Sequence, residues 1–191
     1  MNYLSNCELD EIADEVEIVS IKDIDDFSAF LFDSSIGEYN NFLSVAKAYD
    51  DINISKTFLL IHNRTKELLA YMTLSADSIK LTTEEKLSHN LSKVSYAVIP
   101  AVKIGKLAVN HEVSNKVKRK GYGSFMIEVA RGIATETNEL GVACRFLTVD
   151  ADIEYNVDTP QFYRKNGFIE NLSSKSRNPK HTISMRKDIL A

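Results

Sequence analysis

Hydrophobic and polar positions along the chain fall into short alternating runs and helical stripes. Residues 17–21 read as a strand. Residues 24–32 and 36–48 read as helices; in the second, Tyr39, Phe42, Leu43 and Ala46 recur at helical spacing. Residues 56–62 (KTFLLIH) form an apolar run bounded by a polar turn at 63–66. Residues 68–76 (LLAYMTLSA) read as the returning strand, so the two predict an antiparallel hairpin. Residues 82–90 are a charged excursion, read as a loop with a helical turn. Residues 101–109 (AVKIGKLAV) predict a strand with Gly105 inside it, and a glycine there marks a bulge or a close backbone approach. After a polar loop over 110–120, residues 121–139 predict a helix. Phe125, Val129 and Ile133 form its apolar stripe, with Met126 and Ala130 beside them and Gly141 as its C-terminal cap. Residues 143–149 predict another apolar strand. Strand, helix and strand in succession make a βαβ unit, whose default is a right-handed crossover with parallel pairing. Thr159 and Pro160 suit an N-cap and a first helical position, so 160–166 predicts a helix stopped at Gly167. Two last strands are expected near 168–172 and 181–186. The sum is an α/β or α+β domain with a mixed sheet and few helices. No repeat or linker divides the chain. Residues 8–15 are too acidic for a core, so residues 1–16 are expected as an acidic N-terminal arm ahead of one domain over 17–191.

Composition narrows the class. Of the 191 residues 44% are hydrophobic, enough for a sizeable core, yet no apolar run is long enough to span a membrane. The N-terminus is acidic and lacks the basic start and apolar segment of a secretory signal, so a cytoplasmic location is the expectation. Cys7 and Cys144 make neither a disulfide framework nor a metal site, and Cys144, in an apolar run, reads as a small buried hydrophobe. The net charge of −4 hides an asymmetry: residues 1–99 carry −9 and residues 100–191 carry +5. The back half favours an anionic ligand, although surface charge also drifts along chains without function.

Chemistry gathers in two places. The first is Lys118-Arg119-Lys120-Gly121-Tyr122-Gly123-Ser124, between a predicted strand and a predicted helix. Glycines let successive N–H groups point into one concavity, and a helix start adds unpaired donors and partial positive charge. Three cationic side chains add to this, and together they suit a diphosphate. The spacing is neither a Walker loop nor GxGxxG, and on residues alone a generic basic turn stands beside a phosphate site. The second is Asn156-x-x-Thr159-x-x-Phe162-Tyr163-Arg164-Lys165-Asn166-Gly167-Phe168. Phe162 and Phe168 read as core packing. Tyr163 is either a half-buried tyrosine with a satisfied hydroxyl or a proton donor.

Both places resemble the GNAT N-acetyltransferases. Lys118-x-x-Gly121-x-Gly123, following Lys106-Leu107-Ala108-Val109, is similar to that family's motif A, Arg/Gln-x-x-Gly-x-Gly/Ala, with lysine in the first place. Lysine keeps the charge and loses bidentate geometry. The second stretch resembles motif B, with Thr159 where alanine is usual. The resemblance spans roughly residues 56–186. It implies a GNAT-like domain whose mixed, mainly antiparallel twisted sheet is splayed around a cofactor cleft and flanked by helices. It implies acetyl-CoA as co-substrate, with Leu107, Ala108 and Val109 on the pantetheine arm. Lys118, Arg119, Lys120, Gly121, Tyr122, Gly123 and Ser124 would then lie around the pyrophosphate. Tyr163 would be the general acid, and Asn156 would orient the cofactor or the tyrosine. The N–H near Val109 would polarise the thioester carbonyl. No metal is implied. A looser resemblance, in Phe32-Asp33, Tyr39–Leu43, 57–60, 70–76 and 99–109, is to the GNAT toxins that act on aminoacyl-tRNA. It implies an aminoacyl-tRNA acceptor and a small DNA-binding antitoxin as partner, with a homodimer as one assembly open to the chain. Lys103, Lys106, Lys116, Arg131, Arg164, Lys165, Lys175, Arg177, Lys180, Arg186 and Lys187 would supply the basic face.

No general base stands out. His62, His89, His111 and His181 are isolated; His111, just past the cofactor strand, and Glu112 beside it are the two to test. The acidity of the front half favours a small-molecule or protein amine as acceptor instead. A non-catalytic CoA-binding module is the third reading, and turnover that survives replacement of Tyr163 would support it.

Overall fold

A computed structural model describes residues 4–114, 117, 121–172 and 181–191. Its strands β1 (Val16–Ser20), β2 (Lys56–His62), β3 (Leu68–Ile79), β4 (Ile99–Val109), β5 (Phe146–Asp152), β6 (Ile169–Glu170) and β7 (Thr182–Asp188) follow the order β1-β2-β3-β4-β5-β7-β6. β4 (Ile99–Val109) and β5 (Phe146–Asp152) are neighbours in that order and are joined through α4 (Tyr122–Glu139), as the βαβ reading predicts. The chain forms two compact units, Leu4–Ser75 with Ile104–Val129, and Ala76–Lys103 with Ala130–Ala191.

The first unit opens with α1 (Asn6–Ala13), where Ser5 and Glu8 form a reciprocal capping box and Ile12 is buried. β1 (Val16–Ser20), β2 (Lys56–His62) and the start of β3 (Leu68–Ile79) pair antiparallel, with Val19 opposite Leu59 and Leu59 opposite Tyr71. The predicted hairpin is therefore present, and β2 has the predicted bounds. Its core joins Ile21, Leu43, Ala46, Leu59, Ile61, Leu68, Tyr71 and Ala108. α2 (Gly37–Asp51) lays Leu43 and Ala46 on this core. Its last turn is fixed by Asp50, which is wholly buried and accepts from Lys56 Nζ at 2.9 Å and from the Thr57 N–H at 3.0 Å. The helix expected over 24–32 is absent. A 3-10 turn at Phe27–Ala29 takes its place, after another at Ile21–Asp23. The Asp26 carboxylate captures the Ser28 N–H, the short-range competition by which Asp opposes a helix, and Phe27 and Phe30 pack ring to ring at 5.3 Å.

In the second unit the predicted excursion contains α3 (Thr83–Ser88), with a capping box between Thr82 and Glu85. Ile79, Leu81, Ile99, Ala101 and Phe146 form its core, with Leu91 and Val94 against them. β5 pairs antiparallel with β7 (Thr182–Asp188), and β7 with β6 (Ile169–Glu170). α5 (Thr159–Lys165) carries proline in its first turn. Gly141 and Gly167, both at positive φ, follow α4 and α5. Cys144 is buried, and burial raises its thiol pKa.

Candidate functional site

β4 is the strand expected to face a cofactor, and its local shape is set by its neighbours. Leu107 and Val109 are half-buried and Ala108 is buried. The Lys106 N–H donates to Thr73 Oγ1 at 2.9 Å, and a Cβ at Gly105 would lie 2.9 Å from that same oxygen. The close approach at Gly105 is thus made by a threonine side chain, not by backbone as expected. The Lys106 ammonium pairs with Glu38 at 2.7 Å and sits over the Tyr39 and Phe42 rings at 4.8 and 5.4 Å. This holds the side chain against the first turns of α2.

The end of β4 is held by Asn110, whose side chain is almost fully used. Its amide donates to the carbonyls of Leu31 (2.8 Å) and Leu68 (2.7 Å), and its oxygen accepts from the N–H groups of Asp33 (3.0 Å) and Glu112 (2.9 Å). Asp33 in turn accepts from Asn40 and from the Ser35 N–H, which, with His111 nearby, hold its carboxyl below the usual range. The His111 ring meets Ser35 Oγ at 2.8 Å. Asn after a strand reads as a turn residue, so no sequence signal separated Asn110 from an ordinary loop opening.

Of the expected phosphate loop, Lys118, Arg119 and Lys120 lie outside the described residues. Gly121 is half-buried and its carbonyl accepts from the Phe125 N–H at 2.9 Å, so the helical ladder starts there. Tyr122, Gly123 and Ser124 are buried. The Tyr122 phenol is pushed up by burial, with Glu15 and Glu67 adding to the effect. These side chains face inward, so what the segment can offer a ligand is the N–H groups of the first turn of α4.

Tyr163 is 5% exposed on α5. Phe162 and Phe168 hold its ring edge-on at 5.1 and 5.3 Å, and Phe168 is core, as expected. Asn156 is exposed, and its side chain accepts from the Asp158 N–H at 2.9 Å while its carbonyl accepts from Thr159 Oγ1 at 2.8 Å. Its side chain thus organises the turn that starts α5. The departure from alanine at Thr159 has a local use, since the hydroxyl closes that turn.

The histidines have structural partners. His62 meets Thr65 in the β2–β3 turn, His89 meets Asp188 at 3.0 Å, and His181 meets Glu154 at 2.8 Å. The expected basic face needs correcting. Arg186 and Lys187 are buried, and Arg186 is paired with Glu85 at 2.6 Å, so neither belongs to a surface. Lys103 is paired with Asp150, Lys106 with Glu38, and Arg164 with Glu170. Lys116, Lys175, Arg177 and Lys180 lie outside the described residues. Among the described residues no three His, Cys, Asp or Glu side chains gather as metal ligands, and no helix is long and apolar enough to cross a membrane.

No protein-family model and no curated protein matches the sequence. Solved structures match the fold. A tyrosine-to-phenylalanine mutant of KacT is 24% identical, with a TM-score of 0.64 over 88% of this chain and 94% of that one. AtaT complexed with acetyl-methionyl-tRNA is 20% identical, with a TM-score of 0.65 over 88% and 94%. An AtaT mutant toxin bound to the C-terminus of the antitoxin AtaR and to acetyl-CoA is 18% identical, with a TM-score of 0.65 over 92% and 94%. The chain therefore carries the GNAT-type fold that the two motifs implied, a mixed sheet flanked by helices.

Proposed function

We propose that the chain transfers the acetyl group of acetyl-CoA to a primary amine, and that the amine is the amino group of an aminoacyl-tRNA. The observation that carries this reading is Tyr163, a buried phenol held edge-on by Phe162 and Phe168 on the short helix α5. It occurs in a fold shared with AtaT, whose structure is described as complexed with acetyl-methionyl-tRNA. The AtaT structure holding acetyl-CoA and part of AtaR supports the same co-substrate, with a small antitoxin as partner.

The parts divide the work. The backbone of Leu107, Ala108 and Val109 pairs with the amides of the pantetheine arm in the manner of an added strand. Gly121, Tyr122, Gly123 and Ser124 offer first-turn N–H groups to the pyrophosphate, and Lys118, Arg119 and Lys120 add charge. These residues fit such a ligand, because β4 leaves Leu107 and Val109 half-exposed and the helical ladder starts from the Gly121 carbonyl. The N–H near Val109 polarises the thioester carbonyl. The acceptor amine attacks that carbonyl carbon and loses its proton to water, the C–S bond breaks, and the phenol of Tyr163 protonates the departing sulfur and then regains a proton from water. Asn156 acts through the start of α5, where its side chain is already engaged.

The test is transfer of radiolabelled acetyl from acetyl-CoA to a pool of charged tRNAs, with a panel of small amines alongside, for wild type and Tyr163→Phe. The expected outcome is label on tRNA that falls by about 100-fold or more in Tyr163→Phe, the lower end of general-acid effects, with CoA affinity unchanged. Label on small amines alone would retire the tRNA acceptor and keep the acetyltransferase. CoA binding with transfer to nothing would leave a binding module.

A further inference from the structure

We propose that the Thr73 hydroxyl is a positioning group for β4, holding the strand in the shape in which residues 107–109 present their backbone to the pantetheine arm; this rests on the acetyl-CoA reading above. Three observations converge on it. The first is the burial pattern. Ile99 and Ala101 are buried, then Ile104 and Ala108. A regular strand turns alternate residues to one face, so the odd step from 101 to 104 departs from that alternation.

The second is the Lys106 N–H, just past that step. It donates to Thr73 Oγ1 at 2.9 Å, so a side-chain oxygen of β3 stands at the backbone of β4. Thr73 is 3% exposed, which leaves little room for water to take over the bond. The third is Gly105. A Cβ there would come within 2.9 Å of the same oxygen, closer than real Cβ contacts come. Threonine at 73 and glycine at 105 are thus two halves of one fit.

Four residues further on, the Asn110 N–H donates to the Leu69 carbonyl at 2.8 Å, four residues back along β3. Residues 107–109 are therefore pinned on both sides, by a side chain at one end and by a backbone carbonyl at the other. A segment ordered before the ligand arrives loses less conformational freedom on binding. The hydroxyl thus acts on cofactor affinity through Lys106 and does not touch the reacting atoms.

The experiment is calorimetric titration of CoA into the full chain as wild type, Thr73→Ser, Thr73→Val and Thr73→Ala, with thermal melting of each. Serine keeps the acceptor and is expected to bind within about twofold of wild type, whereas valine and alanine, which leave the Lys106 N–H without it, weaken binding about tenfold, the size of one lost buried hydrogen bond. KM for acetyl-CoA should rise by the same factor, with kcat at saturation changed far less. Amide exchange on wild type gives a readout that does not depend on how the variants fold. The Lys106 amide should exchange slowly in the free chain, and CoA should slow Leu107 and Val109. Fast exchange at Lys106 without ligand, or valine and alanine variants binding like serine, would overturn the proposal while leaving the acetyl-CoA reading standing. A wild type that binds no CoA would remove both.

Discussion

Arg186 shows how far a single residue can depart from its sequence appearance. It is 2% exposed and its partner Glu85 is 3% exposed. The guanidinium also reaches Asn171 Oδ1 at 2.9 Å and the Glu170 carbonyl at 3.2 Å, while Glu85 accepts from the N–H groups of Thr82 and Leu172. A buried ion pair of this kind adds little over an apolar pair, but removing one partner strands a charge. Arg186→Met should therefore lower the unfolding free energy by about 3–5 kcal/mol. The double variant Glu85→Met/Arg186→Met should recover part of that, as urea titration would read. A double variant no better than the single one would mean that the cost lies in packing. Arginine is almost never fully buried unless paired, and the pair here spans 101 residues of sequence. Nothing local to Arg186 announced it, which is why it read as part of a basic surface.

At the scale of the element, local pattern carried far where the element is held by its own sequence. β2 runs over the predicted 56–62, and α4 and α5 begin and end within a residue of expectation. The misplacement at 24–32 arose because aromatic spacing mimics a helix while Asp26 caps a turn. The candidate site divides the same way. The glycines and Tyr163 were legible as motifs, but Thr73 and Asn110 act through partners more than 30 residues away. The pin on α2 is similar in kind. Asp50 is opposed by burial, yet hydrogen bonds from Lys56, the Thr57 N–H and Lys22 outweigh it and lower its pKa. A carboxylate whose folded pKa lies below its unfolded value stabilises the fold above the unfolded value, about 4, and that contribution is lost as pH falls through the folded one. Glu85 and Asp188 are lowered too, against their burial, by backbone N–H donors and by Arg186 and Arg145 respectively. The urea midpoint should hold between about pH 5 and 7 and fall below about pH 4. Asp50→Asn should start lower at pH 7 and lose less on acidification, since the amide cannot titrate. Parallel curves for the two proteins would show that Asp50 contributes nothing to the acid limb.

For the whole molecule the question is how a chain of net charge −4 could engage a polyanion. The answer lies in the sign along the chain, −9 over residues 1–99 and +5 over 100–191. Arg186 is held by Glu85, Lys103 by Asp150 and Lys106 by Glu38, so a tRNA would be gripped by a subset of the basic residues. Each phosphate contact releases counterions, so apparent affinity falls with added salt by about 0.9 log units per log unit of salt for each contact on a duplex and about 0.7 on a single strand. A grip of three or four contacts therefore predicts that KM for charged tRNA rises about 20-fold to 150-fold from 50 to 200 mM salt. Over that range, KM for a small amine should hardly move, because it displaces few ions. Arg131→Ala and Lys165→Ala, in the back half of the chain, should flatten the tRNA slope and leave transfer to a small amine as it was. A tRNA slope no steeper than that of the small amine would mean that no phosphate backbone is bound, and the acceptor would then be sought among small or protein amines.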